Sequence, residues 1–418
     1  MAGRNTFVRV REGVAPLVGD RELRAYYLVF AAVWFAGEAY AQALPLYFRE
    51  VGISLAVLGV VRSAASVANL VAEAPAGLLA DRVDRATVAA VACAGLGVLL
   101  VAFPVARTAV LVGAAVVAVA LARQFVGSSV TPAISEAVDD ERAGLGWGVR
   151  DVGIYGGSAA GLVVAGAVTA RSGTVSAVFL PGGVAALLAA VFLWTRVADH
   201  AMPRSPRPRE WTRSLRKILA DVSPLADFRA VSNWRVLGLF CIVKAFVTAA
   251  GGLSLFLLPA YAADTGFTPA VALGLFAASN LFGAPLSLVG GLLTDRYSRK
   301  WLYVGNYATE MVMLGAFALA GTGIGSGTVG ARPLFVLGLA LFVVQTAFEP
   351  AVLAYFFDQF DDDEAGRAWS VGGVVSRTTG IVAPAAGGVL YTVDPLFVFL
   401  AATVLMGAGT AVALVLPE

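Results

Sequence analysis

Long apolar stretches alternate with short charged or turn-rich breaks from about residue 25 to the C-terminus. A membrane-crossing helix needs about 20 mostly apolar residues. Cut at the breaks, the pattern predicts twelve such helices, over residues 25–48, 53–78, 87–105, 108–133, 145–169, 174–195, 235–259, 270–293, 301–321, 333–357, 368–391 and 396–416. The widest interruption divides them six and six. Three parts are expected: a leader with a first six-helix bundle (1–195), a cytosolic linker (196–234) and a second six-helix bundle (235–418).

The linker opens with the stiff run PRSPRPRE. In the WTRSLRKILADV that follows, Trp211, Leu215, Ile218, Leu219 and Val222 fall on one helical face, with Arg213, Arg216 and Lys217 off it. Two readings fit: a helix lying on the inner leaflet with its cations near anionic headgroups, or a solvated linker helix packed on the protein.

Composition agrees with the pattern. Apolar residues make up 59% of the 418 and charged residues 14%, against roughly 25% charged in a soluble protein. The mean hydropathy is +0.80. Other classes lose their raw material. A net charge of +2 gives no basic footprint for nucleic acid. Cys93 and Cys241 lie in apolar runs, so neither a disulfide framework nor a zinc site is expected. The single histidine, His200, sits in the linker, which leaves no metal cluster and no Ser-His-Asp triad. No Walker sequence is present to bind ATP. The first 24 residues hold five arginines and lack an apolar signal core, and read as a retained cytosolic leader.

Lys and Arg set the orientation. With the N-terminus in the cytosol, about 21 fall in inside segments and four in outside loops (Arg49, Arg107, Arg171, Arg332). Both termini are then cytoplasmic, and the cell membrane is the expected location.

The halves repeat each other. GLLADRVDRA (77–86) has a near-twin in GLLTDRYSRK (291–300), and Pro45 to Asp81 spans the same 36 positions as Pro259 to Asp295. Arg150-Asp-Val-Gly-Ile resembles Arg377-Thr-Thr-Gly-Ile, each after an acidic loop, Asp139–Glu141 or Asp361–Glu364. Two copies of one six-helix unit account for this.

On these motifs the chain resembles the major facilitator superfamily over its whole length. The family's loop signature, Gly-x-x-x-Asp-Arg-x-Gly-Arg-Arg/Lys, is matched by Gly77, Asp81, Arg82 and Arg85, and again by Gly291, Asp295, Arg296, Arg299 and Lys300. Asp84 and Ser298 replace its second glycine. The Arg-x-x-x-Gly of proton-coupled exporters fits Arg123 and Gly127, whereas their fifth-helix Gly-Pro motif is absent. The resemblance implies two pseudo-symmetric six-helix bundles and an all-α membrane fold. It also implies that the two knots latch the halves, with Arg150 and Arg377 as candidate partners, and that the first, fourth, seventh and tenth spans surround a central cavity.

Ten ionisable residues fall inside predicted spans: Glu38, Arg62, Glu73, Arg123, Arg150, Asp151, Lys244, Glu310, Glu349 and Arg377. Each costs about 2.5–3.5 kcal/mol at mid-span, so most must face protein or water. Four sit on the four cavity spans: Glu38, Arg123, Lys244 and Glu349. Gln42 and Gln345 stand four residues from Glu38 and Glu349, on the same helical face. These six residues are the candidate substrate or proton site, with Glu38 the first choice as proton carrier and Glu349 the second. Arg123 would tune the acid or hold an anion. Arg62 and Glu310 have no evident partner. Glycines in the fifth span (Gly153, Gly156, Gly157, Gly161) and the eleventh (Gly372, Gly373, Gly380, Gly387, Gly388) predict close helix contacts.

The expected function is secondary active transport by alternating access, as proton-coupled efflux of small amphipathic compounds. Proton-coupled uptake of a small organic solute or anion is the alternative. A receptor or membrane enzyme would need an extramembrane domain or a catalytic cluster, and the sequence offers neither. The expected partners are a small-molecule substrate, protons and the bilayer, with no nucleic acid and no cofactor beyond the proton gradient. The chain is expected to be a monomer.

Overall fold

The computed structural model describes residues 21–137, 143–197, 228, 231–322 and 330–418. Residues 1–20 of the leader, the amphipathic segment at 211–222 and the first acidic loop lie outside these residues.

The described residues form fourteen α-helices. The first six are α1 (Arg21–Glu50), α2 (Leu55–Arg82), α3 (Arg85–Ala102), α4 (Ala109–Ala137), α5 (Ala143–Ser172) and α6 (Phe179–Arg196). The rest are α7 (Trp234–Ser254), α8 (Leu258–Asp264), α9 (Pro269–Arg296), α10 (Arg299–Ala320), α11 (Ala331–Gln345), α12 (Glu349–Phe357), α13 (Asp362–Val393) and α14 (Pro395–Val415). Lipid offers no hydrogen bonds to a bare backbone, so an apolar chain there satisfies its own peptide groups as helix. The faces turned away from the protein are apolar: Val110, Val163, Leu188 and Val404 are all exposed.

Among the described residues eight helices are long and apolar enough to cross a membrane, or nine if the pair α11 and α12, bent by 41°, counts as one. The sequence predicts twelve spans, and helix covers each of the twelve stretches. The three stretches that are less apolar are α1, α10 and α13. They are 30, 22 and 32 residues long. Their interiors are more polar: α1 carries Glu38 and Gln42, α10 Asn306 and Glu310, and α13 the run Ser376-Arg377-Thr378-Thr379.

The chain divides into two compact units. The first comprises residues up to Ala41 with Ala68–Arg216, the second Gln42–Val67 with Lys217–Glu418. The C-terminal turns of α1 and the first half of α2 thus cluster with the second unit.

The sequence repeat is also a repeat of turns. Gly52 after α1 (φ 73°) and Gly266 after α8 (φ 93°) both lie in the left-handed region. In each turn the next residue donates back across it, Ile53 N–H to Phe48 O at 2.8 Å and Phe267 N–H to Ala262 O at 3.1 Å. This six-to-one bond with a left-handed glycine closes a helix end without strain. The charged knots repeat too. Asp84 caps α3, accepting from Thr87 N–H at 2.8 Å and from its hydroxyl at 2.7 Å. Ser298 takes the equivalent place before α10. Their φ angles are −50° and −57°, so the turn does not need the signature's second glycine.

Glycines set the close helix contacts. In the first unit α5 crosses α1 so tightly that a Cβ on Gly157 or Gly161 would stand 2.3 or 2.2 Å from the carbonyl oxygens of Ala31 or Phe35. In the second, α13 meets α7 the same way, with Gly387 against Leu253 O at 2.1 Å. By contrast, a Cβ on Gly156, Gly372 or Gly373 would meet nothing within 4 Å. The predicted glycine clusters therefore split into contact positions and open positions.

Candidate functional site

In the first unit, the Arg123 guanidinium from α4 lies against Gly37 of α1, where a Cβ would come within 2.9 Å of Cζ. Its Cζ is 5.8 Å from the centre of the Trp34 ring. A cation over an aromatic face gains about 0.5–2 kcal/mol, more as water is excluded. Among the described residues no carboxylate stands within ion-pair distance of Arg123. Glu38 follows Gly37 on α1 and is half-buried; Gln42 is one turn further on. The glycine therefore supplies the seat for Arg123, a role its sequence context did not announce.

In the second unit, α11 and α12 are one predicted span broken at Thr346–Phe348. Pro350 in the first turn of α12 has no N–H to continue the ladder, which fits the break. Small residues of α9 receive it: a Cβ on Gly290 would lie 2.2 Å from Ala347 O, and the Thr346 hydroxyl donates to Gly283 O at 3.3 Å. The break separates Gln345 and Glu349, expected on one helical face, into two helices. Gln345 turns to α10 instead, its Nε2 donating to Glu310 Oε2 at 3.1 Å. Glu310 is only 6% exposed, and the carboxylate of Glu349 is close enough to act on it electrostatically. The residue left without a partner in the sequence is thus the centre of an acid-amide-acid cluster. No cation lies within ion-pair distance of Glu310 among the described residues.

A cavity of about 290 Å³ opens in the same unit between α7, α10, α12 and α13. Aromatic rings form its walls, with Phe240 edge-on to Tyr303 (80°) and to Phe356 (72°). Lys244 and Arg377 are its charged lining residues. Lys244 Nζ stands 5.2 Å from the centre of the Trp369 ring. Arg377 was expected near the helix end as a latch partner. Because α13 begins at Asp362, Arg377 stands about 22 Å along it at 1.5 Å per residue, in the cavity wall.

The knots find local partners. Arg299 binds Asp358 at the end of α12 at 2.5 and 2.7 Å, and Asp295 and Arg296 are exposed. Arg85 is half-buried; the side chains of Asp81 and Arg82 lie outside the described set. Neither Gly77 nor Gly291 has a neighbour within 4 Å of a would-be Cβ. Arg150 pairs with the adjacent Asp151 at 2.6 Å, its Cζ 6.0 Å from the Phe30 ring. Glu364 of the second acidic loop accepts from Ser232 N–H and from its hydroxyl, fixing the approach to α7.

A network that the sequence did not suggest closes the other end of the second unit. Arg49, in the last turn of α1, forms a two-pronged pair with Asp264 of α8 at 2.6 and 2.7 Å and donates to Ala260 O at 3.1 Å. The Tyr391 hydroxyl of α13 donates to the same carboxylate at 2.6 Å. Nearby, a Cβ on Gly59 of α2 would lie 2.3 Å from Pro384 O, and Ala385 N–H donates to Ser63 Oγ at 3.1 Å.

A family model for the Major Facilitator Superfamily matches residues 26–348. Among solved structures, the chain is similar to the nucleoside transporter NupG, with 16% identity, a TM-score of 0.71, and 95% of this chain and 98% of that one covered. A bacterial homolog to the human lysosomal transporter Spinster, inward-facing and occupied, gives 13% identity, a TM-score of 0.69 and coverage of 94% and 95%. A D-xylose-proton symporter gives 15%, 0.67, and 94% and 96%. At these identities the likeness is one of fold. No curated protein matches the sequence.

Proposed function

The chain belongs to the major facilitator superfamily, and from that membership we propose that it carries a small molecule across the cell membrane by alternating access, driven by protons. Coarsely, it is a multi-pass membrane transporter. In the proposed reading all twelve helical stretches cross the bilayer, both termini are cytoplasmic, the protein works as a monomer and no cofactor is required. The direction proposed is efflux of small amphipathic compounds, on the strength of Arg123 and Gly127.

The observation that carries proton coupling is the cluster of Glu310, Gln345 and Glu349. Glu310 is buried and the exposed Glu349 places a like charge near it, so the two cannot both carry charge at modest cost and the pair is suited to hold one proton. The Gln345 amide orients Glu310, and the break at 346–348 gives Glu349 a backbone joint on which to move. Glu38, the acid favoured by sequence, is the second candidate carrier. The knot residues Asp81, Arg82, Arg85, Asp295, Arg296 and Arg299 are proposed as the latch between conformations, with Arg150 as a supporting group.

The test is flux in proteoliposomes. Compounds that raise the protein's Tm are radiolabelled and followed under pH gradients of either sign. A carrier working by exchange accumulates them in vesicles whose lumen is acid relative to the outside, because protons leave the lumen as substrate enters. Accumulation driven only by protons entering with the compound would reverse the direction and leave coupling intact. Flux insensitive to either gradient would remove the proton from the reading.

A further inference from the structure

The cavity in the second unit bears charge of one sign. Of the described residues that line it, Lys244 and Arg377 are cationic and none is acidic. Among the described residues Lys244 has no carboxylate within ion-pair distance; the Trp369 ring is its neighbour. A lysine ammonium within a membrane helix costs about 2.5–3.5 kcal/mol, and a ring face returns only part of that. A bound anion would recover the remainder.

The walls describe the rest of the ligand. Phe240, Tyr303, Tyr307, Phe356 and Trp369 line it with rings, and Phe240 packs edge-on against two of its neighbours. Gly372 and Gly373, three and four residues after Trp369 on α13, also line the space, and a Cβ on either would meet nothing within 4 Å. Side chains have been omitted where room is needed, rather than where helices touch. A volume of about 290 Å³ sits at the lower limit of the roughly 300–1,000 Å³ of small-molecule pockets.

We propose that this cavity binds a small aromatic organic anion, its carboxylate or equivalent acid group between Lys244 and Arg377 and its ring against Trp369 and the Phe240 cluster. This names the substrate class of the transporter reading and rests on it for purpose. The binding itself holds for either direction of transport. A cationic amphiphile would meet two like charges. A lipid headgroup offers the same acid chemistry without the ring.

The protein carries its own reporter. Cys241 lines the cavity and is half-buried, whereas Cys93, the other thiol, is fully buried. Modification of Cys241 by N-ethylmaleimide is followed by mass spectrometry in phosphatidylcholine nanodiscs. The probes are 2-naphthoate, 2-naphthamide and 2-naphthylmethylammonium, one ring with charges of minus one, zero and plus one. Saturating naphthoate is expected to slow modification, and to bind about tenfold or more tightly than the amide, the value of one charge-assisted contact. Lys244→Gln should lose that preference, Lys244→Arg should keep it, and neither should lower Tm in the absence of probe, because the ammonium balances no carboxylate. Equal protection by the amide or the ammonium overturns the assignment of charge. No protection by any probe overturns the site. A fall in Tm for Lys244→Gln assigns the lysine a structural role and overturns its role as the ligand's counter-charge. Slow modification caused by phosphatidylglycerol alone, with no further effect of naphthoate, gives the site to lipid and overturns the aromatic ligand. Absence of flux with intact naphthoate binding would sink the transporter reading and not this one.

Discussion

Glu310→Gln is expected to abolish accumulation of substrate against its gradient while leaving exchange down the gradient intact. One pH unit is worth about 1.36 kcal/mol, so a carrier moving one proton per substrate sustains about tenfold accumulation. The amide keeps the shape of the acid and its place beside Gln345, but it cannot take the proton. Accumulation should therefore fall to about unity, with half-times for counterflow changed little. Glu349→Gln should behave alike, because the acids act as a pair. Glu38→Gln provides the comparison: it should slow transport yet keep the coupling ratio. The reverse result, coupling lost in Glu38→Gln and kept in Glu310→Gln, would move the proton to α1 and make the sequence's first choice the carrier.

The second large effect is expected at the Arg49 network. Arg49→Ala removes a two-pronged pair, a bond to Ala260 O and the partner of a carboxylate that Tyr391 also holds. Both charged side chains are about one-third exposed, so solvent screening discounts the pair to about 1–2 kcal/mol, or about five- to thirtyfold in a two-state equilibrium. The equilibrium at stake is the docking of residues 42–67 on α8 and α13. Spin labels at Ser54→Cys and Thr268→Cys, in a Cys241→Ser background, should report a single short distance when docked. A second, longer population should grow in Arg49→Ala, and the charge-swapped pair Arg49→Asp with Asp264→Arg should reduce it again. An unchanged distance distribution in Arg49→Ala would show that the glycine contact of Gly59 with α13 holds the segment without the ion pair.

Much of the frame was legible because membrane insertion imposes one rule on the whole chain. The apolar period located each helical stretch though not the breaks within them, and the spacing of Pro45 and Pro259 foretold a repeat that reappears as the matched turns at Gly52 and Gly266. Close contact through Gly157, Gly161 and Gly387 followed from their crowding on single helices. The site was less legible, for definite reasons. Glu310 looked isolated because its partners lie on a helix 35 residues away that is broken, so helical periodicity pointed Gln345 to Glu349 rather than to α10. Pro350 carried a signal of that break, since an interior proline removes a rung and clashes with the preceding turn. Arg377 was assigned to the helix end because α13 starts earlier than its apolar run. The neighbours of Arg123 and Lys244 are tryptophans from other helices, and no pattern along one chain separates a cation awaiting an acid from one resting on a ring. Arg49 reads in the sequence as a loop charge that reports topology, and nothing along the chain marks Asp264 as its partner in a tertiary bond.

The central claim is that the acids of these helices, Glu310 above all, exchange a proton as substrate crosses. It is tested most directly by wild-type proteoliposomes loaded with the pH dye pyranine and given a Tm-raising compound on one side only, without an imposed gradient. The account predicts a change in lumenal pH that starts with substrate flux, stops when flux stops and is absent in Glu310→Gln. Steady substrate flux with a flat pyranine signal would contradict it.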